Sequence, residues 1–199
     1  MVKIYGDGQS GNCYKIKLLA SLLDIPHEWV PMDILGGDTR TEAFLTLNPA
    51  GQIPVLQLDD DRVLTESNAI LNYLADGSSY LPMDAFARAM VLQWQFFEQY
   101  SHEPCIAVAR FISKYLGMPE ERRAEYAAKQ EGGHRALRVM ERQLEQTPFL
   151  CGAAMTIADI SLYAYTHVAH EGGFELAGYP AIGRWLDRIA GMRGYVGMV

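Results

Sequence analysis

Polar and apolar positions alternate over Val2-Lys3-Ile4-Tyr5, which predicts a short strand closed by a turn at Gly6-Asp7-Gly8. From Ser10 the period becomes helical, with Cys13, Ile16, Leu19, Ala20 and Leu23 on one stripe. Ser10 is placed to cap that helix, because its hydroxyl can accept a free N–H of the first turn. Pro26 follows the helix, and residues 28–33 read as a second strand. Pro31 cannot donate to a ladder and assigns that strand to a sheet edge. Gly36-Gly37-Asp38 breaks the chain before a short helix over 41–47, which ends at Asn48-Pro49. Residues 55–58 and 62–65 form two strands around the Asp59-Asp60-Asp61 turn, an antiparallel hairpin. Residues 67–75 form a helix with Ile70, Leu71 and Leu74 on one side. The predicted order is β-α-β-α-β-β-α, with a mixed sheet.

Residues 77–84, opening with Gly77-Ser78-Ser79, carry turn residues rather than periodicity and read as a linker. Beyond it no strand pattern recurs. Helical periodicity covers 85–116, 120–146, 156–170 and 180–192, with Gly132-Gly133 a candidate interruption. The expected organisation is an α/β domain over 1–76, the linker, and an all-helical domain over 85–199. A chain of 199 residues has room for two such cores.

Composition narrows the function classes. No apolar run approaches the roughly 20 residues that span a bilayer, so no membrane partner is expected. The N-terminus has neither the apolar core nor the cleavage site of a secretory signal, which makes the cytoplasm the expected location. Three cysteines without a CxxC pair imply neither a disulfide framework nor dithiol chemistry. Net charge is −7, of which residues 1–80 carry −6. Such a chain lacks the positive field that nucleic acid requires. Arg135, Arg138 and Arg142 alternate with Glu131, Glu141 and Glu145 as a salt-bridged solvent face.

Gly6-Asp7-Gly8-Gln9-Ser10-Gly11 matches the dinucleotide-binding G-x-G-x-x-G between a strand and a helix. The antiparallel hairpin that follows, and Pro31 in the second strand, contradict the repeated parallel units of that fold. Three other segments carry the candidate chemistry. Ser10-Gly11-Asn12-Cys13 opens the first helix, where unpaired N–H groups and the dipole favour a thiolate. Gln52-Ile53-Pro54 precedes a strand; with a cis bond there, the Ile53 main chain turns outward to pair with an extended peptide. Glu66-Ser67 opens the third helix, where an N–H and a hydroxyl bind an anion and Glu66 accepts from an ammonium. Each segment alone also reads as an ordinary cap or turn. No His-Asp support for Ser10 is evident, which excludes a hydrolase triad.

The order of elements, the Pro opening the third strand and the Glu-Ser pair together resemble the cytosolic glutathione S-transferase family, in its bacterial, serine-type or theta-like forms. The resemblance runs over nearly the whole chain. It implies a thioredoxin-like first domain and a homodimeric detoxification enzyme. It makes glutathione the co-substrate, with no metal, and a hydrophobic electrophile the partner. By that resemblance Ser10 activates the glutathione sulfur, with Asn12 a further donor and Cys13 the alternative. Ile53 before Pro54 meets the cysteinyl backbone, Glu66 and Ser67 the γ-glutamyl end, and Gln52 and Arg40 the glycyl carboxylate. A second-substrate pocket falls on Phe97, Tyr100, Ile106 and Arg110, residues that also suit the core or a dimer interface. Thr156-Ile157-Ala158-Asp159 looks like the family's structural capping box, stapled by Met155 and Ile160. His167, His170 and Glu171 are a weak metal signal, better read as a helix end. Glutathione-dependent disulfide or peroxide reduction, and a non-catalytic ligand-binding or interaction role on the same fold, are the alternative functions.

Overall fold

β1 (Val2–Gly6) and β2 (His27–Pro31) run parallel, connected by α1 (Gly11–Leu22). β3 (Val55–Gln57) lies antiparallel on the other side of β1, and β4 (Val63–Leu64) antiparallel to β3. The strand order is β2-β1-β3-β4, so Pro31 does sit on an edge strand. One parallel unit followed by a hairpin gives the expected mixed sheet. In this computed structural model residues 1–198 are described. They fall into two units, Met1–Asp76 together with the segment from Met192, and Gly77–Gly191.

In the first unit, α1 buries Cys13, Ile16, Leu19 and Ala20 as its stripe predicts, and Tyr14, Lys15 and Leu18 as well. Gly6 serves packing: a Cβ there would come within 2.9 Å of the Trp29 ring and 3.0 Å of Cys13. β2 stops at Pro31, short of Asp33, because the Asp33 carboxylate accepts from the Leu35 and Gly36 N–H groups and starts a turn. α2 (Glu42–Leu47) and α3 (Ser67–Leu74) complete the order, with Phe44, Ile70 and Leu71 buried. Among the described residues, the segment from Met192 carries no helix, and two hydrogen bonds tie it to α1 in the first unit. Tyr14 Oη donates to the Val196 carbonyl (2.8 Å) and Ser21 Oγ to that of Gly194 (2.7 Å).

The second unit is helical. The predicted 85–116 helix is four pieces: α4 (Ala85–Phe97), a π-helical turn (Glu98–His102), α5 (Glu103–Arg110) and a second π turn (Phe111–Tyr115). Pro104, in the first turn of α5, has no N–H and clashes with the carbonyl four residues back. The ladder widens there, and the Glu103 N–H reaches back to Glu98. α6 (Arg123–Leu144) runs through Gly132-Gly133 without a break. Those glycines make room for neighbours: a Cβ on Gly132 would lie 2.5 Å from Cys105 Sγ, and one on Gly133 would overlap the Phe174 ring. α7 (Ile157–Thr166) is buried along its whole length. Its capping box forms as read from the sequence, with Thr156 Oγ1 accepting from the Ala158 N–H and Asp159 accepting from the Thr156 N–H. α8 (Pro180–Ala190) has no cap of its own; the Glu141 carboxylate accepts from the N–H groups of Ala181 (2.8 Å) and Ile182 (2.9 Å).

Candidate functional site

The turn before α1 is held by Asp7, whose carboxylate accepts from the Gln9 N–H (2.8 Å) and whose carbonyl accepts from the Ser10 N–H (3.2 Å). Ser10 has extended backbone and caps α1 by accepting the Cys13 N–H at 3.4 Å. A hydroxyl has one donor and two acceptor sites; this cap uses one lone pair, and the Cys13 side chain is a second neighbour of the hydroxyl. Ser10 and Asn12 are partly exposed, whereas Cys13 is fully buried. Burial pushes the Cys13 thiol up to about 12, outweighing the lowering by its hydrogen bond to Ser10.

The Ile53–Pro54 peptide bond is cis. The loop before it is organised by Asn48, whose Nδ2 donates to the Gln52 carbonyl (2.7 Å) and whose Oδ1 accepts from the Ala50 N–H (3.1 Å). Gly51 has φ +63°, and the Arg40 guanidinium lies where its Cβ would be. The fold therefore brings Arg40 from a 3-10 turn (Asp38–Arg40) against the loop that carries Gln52. The Gln52 and Arg40 side chains are exposed.

Glu66 precedes α3 with φ +67° and ψ +113°, an unusual conformation for a residue with a Cβ. Strain of this kind concentrates at binding sites. Its side chain is exposed, while Ser67, the first residue of α3, is buried. Ser67 Oγ donates to Asn12 Oδ1 at 3.2 Å, so the starts of α1 and α3 are joined directly. Between them lies a residue the sequence did not flag. Lys15 is wholly buried, with Nζ 2.8 Å from Asn12 Oδ1 and 3.2 Å from Ser67 Oγ. Its only signal in the sequence is the i, i+3 spacing from Asn12, which puts both on one helix face.

The four residues expected around a second substrate lie in the helical unit in different surroundings. Tyr100 is 88% exposed, and Ile106 is fully buried. Arg110 is buried and donates from Nε to Glu171 at 2.6 Å. Phe97 lines a cavity of about 420 Å³ with Trp94, Val139 and Arg142. Another cavity of about 400 Å³ lies between Glu103, Phe111, Arg122 and Tyr165. Glu171 is held by Arg110 and Lys114, and His167 Nδ1 pairs with the Tyr163 carbonyl. Among the described residues no group of three His, Cys, Asp or Glu side chains is placed to hold a metal.

Residues 9–76 match the glutathione S-transferase N-terminal domain and residues 123–188 the C-terminal domain. The chain is 30% identical over 190 residues to glutathione S-transferase 2 of Anopheles gambiae, covering 93% of this chain and 88% of that one. It is 29% identical to maleylacetoacetate isomerase of Rhizobium meliloti (96% of this chain, 92% of that one). It is equally 29% identical to the disulfide-bond oxidoreductase YfcG of Escherichia coli (89% and 85%). Among solved structures, a glutathione S-transferase from Pseudomonas fluorescens superposes with a TM-score of 0.98 at 61% identity, covering 100% of this chain and 98% of that one. A second family member from that organism, with two glutathione molecules bound, superposes at 0.85 with 25% identity, covering 97% and 89%. The chain belongs to the cytosolic glutathione S-transferase family.

Proposed function

We propose that this chain is a glutathione transferase that adds the glutathione thiolate to hydrophobic electrophiles, a cytoplasmic detoxification activity. The observation that carries this reading is the direct link between the start of α1, with Ser10, and the start of α3, with Glu66 and Ser67. Ser10 donates its O–H to the sulfur, which the α1 N-terminus also favours. Ile53 pairs with the cysteinyl backbone. Ser67 receives the γ-glutamyl carboxylate and Glu66 the ammonium. Gln52 and Arg40 receive the glycyl carboxylate. The thiolate then attacks an electrophilic carbon and the S–C bond forms; either a halide leaves, or the carbanion left by addition to a double bond takes a proton from water. Calorimetry with glutathione, followed by turnover of an aromatic halide, tests the reading. No binding at millimolar glutathione would instead favour a non-catalytic ligand-binding or interaction protein.

A second reading, glutathione-dependent disulfide or peroxide reduction, is favoured by the similarity to the E. coli oxidoreductase. In it the attacking thiolate belongs to glutathione, because the buried Cys13 thiol stays protonated at neutral pH. Cys13→Ala is therefore expected to keep conjugation and disulfide exchange within about twofold of the native chain. Selective loss of exchange by tenfold or more in a folded variant would return the role to Cys13.

The helical unit supports self-association. Phe86, Phe96 and Tyr100 expose 75%, 68% and 88% of their surface, with Leu92 and Val139 also exposed. Three of these, Phe86, Leu92 and Phe96, stand on the single helix α4, and a run of large exposed apolar side chains on one helix is what a self-association face would use. Phe96→Glu is expected to shift a homodimer to the 22.2 kDa monomer in analytical ultracentrifugation. A native chain that already sediments as a monomer removes the dimer from the proposal.

A further inference from the structure

We propose that Lys15 is a positioning residue for the γ-glutamyl end of glutathione: its buried ammonium orients the Asn12 amide and polarises the Ser67 hydroxyl that receives the carboxylate. This deepens, and rests on, the glutathione reading above. Lys15 lies one turn after Asn12 on α1, and α1 packs against α3. An ammonium can only donate. At 2.8 Å it therefore requires the carbonyl oxygen of Asn12 to face it, which turns the Asn12 N–H₂ the other way. Lys15 sets the direction in which Asn12 offers its donors.

The second contact acts on Ser67. Its Oγ accepts from Lys15 at 3.2 Å and passes its own proton to Asn12 Oδ1. A carboxylate arriving at the start of α3 can take that proton by rotation of the hydroxyl, while Lys15 keeps Asn12 Oδ1 satisfied. A hydroxyl that accepts from a cation is a stronger donor in a low-dielectric site. A buried ammonium is tolerated only where it is hydrogen-bonded, and two of the bonds that hold this one go to the side chains that open α1 and α3.

The test compares the full chain with Lys15→Met, Ser67→Ala and the double variant, by glutathione calorimetry, steady-state kinetics and thermal unfolding. Lys15→Met is expected to raise the Kd and KM for glutathione about tenfold, the scale of a lost charge-assisted hydrogen bond. At saturating glutathione kcat stays within about twofold, the mark of a binding role. Thermal unfolding confirms that the variant is folded at the assay temperature. The double variant is expected to bind little worse than Ser67→Ala, because both changes break one network. A folded Lys15→Met chain with native Kd, or fully multiplicative losses in the double variant, overturns the proposal. Should Lys15→Met give no soluble protein, Lys15→Leu, which also lacks a donor, carries the same expectations. Failure of the native chain to bind glutathione is a different result, and sinks the glutathione reading itself.

Discussion

Ser10→Ala is expected to lower kcat/KM for an aromatic halide about a hundredfold at neutral pH, the usual cost of removing one preorganised donor to a developing or resting anion. The loss depends on pH in a defined direction. An ordinary thiol ionises near about 8.5, and a donor that stabilises the thiolate lowers that value for the bound species. Without Ser10 the bound thiol titrates higher, so the acidic limb of the pH–rate profile moves up and the deficit shrinks as solution pH passes the new value. The cap provides an internal control. Ser10 also accepts the Cys13 N–H, so the alanine variant loses about 1 kcal/mol of stability whatever its chemical role. That loss alone leaves the pH profile in place. Ser10→Thr keeps the hydroxyl and is expected to retain most of the activity. Undiminished turnover across pH in Ser10→Ala would move the sulfur contact to Asn12.

Which parts of the site could be read from the chain follows from how local their physics is. Ser10 and Thr156 stand immediately before a helical period, and a cap is a property of a few consecutive residues. Ser67 and the Ile53–Pro54 turn are equally local. Lys15 is different, because a lysine inside an amphipathic helix reads as solvent-facing. Only the packing of α1 on α3 buries it and supplies its partners. The expected second-substrate lining rested on the family resemblance, which named residues of the helix read over 85–116 without fixing their faces. Each π turn admits an extra residue and rotates all that follows by about 100°. The turn at Glu98–His102 lies between Phe97 and Ile106, so the angle between them about the helix axis is not the one a uniform period gives. The signal was in the sequence as Pro104, whose missing N–H forces the ladder open. The segment after Met192 carried no signal, since its bonds to Tyr14 and Ser21 use its carbonyls rather than its side chains.

Asp159→Ala is expected to destabilise the helical unit by about 3–5 kcal/mol: of its four donors the three N–H groups cost about 1–3 kcal/mol each when orphaned and only partly relax, while the Thr156 hydroxyl can rotate. The carboxylate accepts from the Leu150 N–H (2.8 Å), the Thr156 N–H (2.9 Å) and Trp185 Nε1 (2.9 Å), and from Thr156 Oγ1 (3.2 Å). It thus joins the loop before α7, the cap of α7 and the core face of α8. Burial pushes the carboxyl up despite these four donors, because the charge is wholly removed from water. A raised folded pKa means that this group's own contribution to stability is full below the unfolded value, near about 3.9, and is lost as pH rises through the folded value. The native chain keeps its donors paired at either end of that range; the alanine variant does not. Asp159→Asn separates the two effects. It removes the charge and its desolvation cost and keeps an oxygen for Leu150 and Trp185, but it turns a donor toward the Thr156 N–H. Thermal unfolding is expected to fall by about 6–20 °C for Asp159→Ala, at about 2–4 °C per kcal/mol for a chain of this size, and by clearly less for Asp159→Asn. Equal losses in the two variants would place the stabilisation in the charge rather than in the acceptor count. A loss under about 1 kcal/mol in Asp159→Ala, the scale of a single ordinary hydrogen bond, would show that water enters to replace the carboxylate and that the box is not what joins α7 to α8.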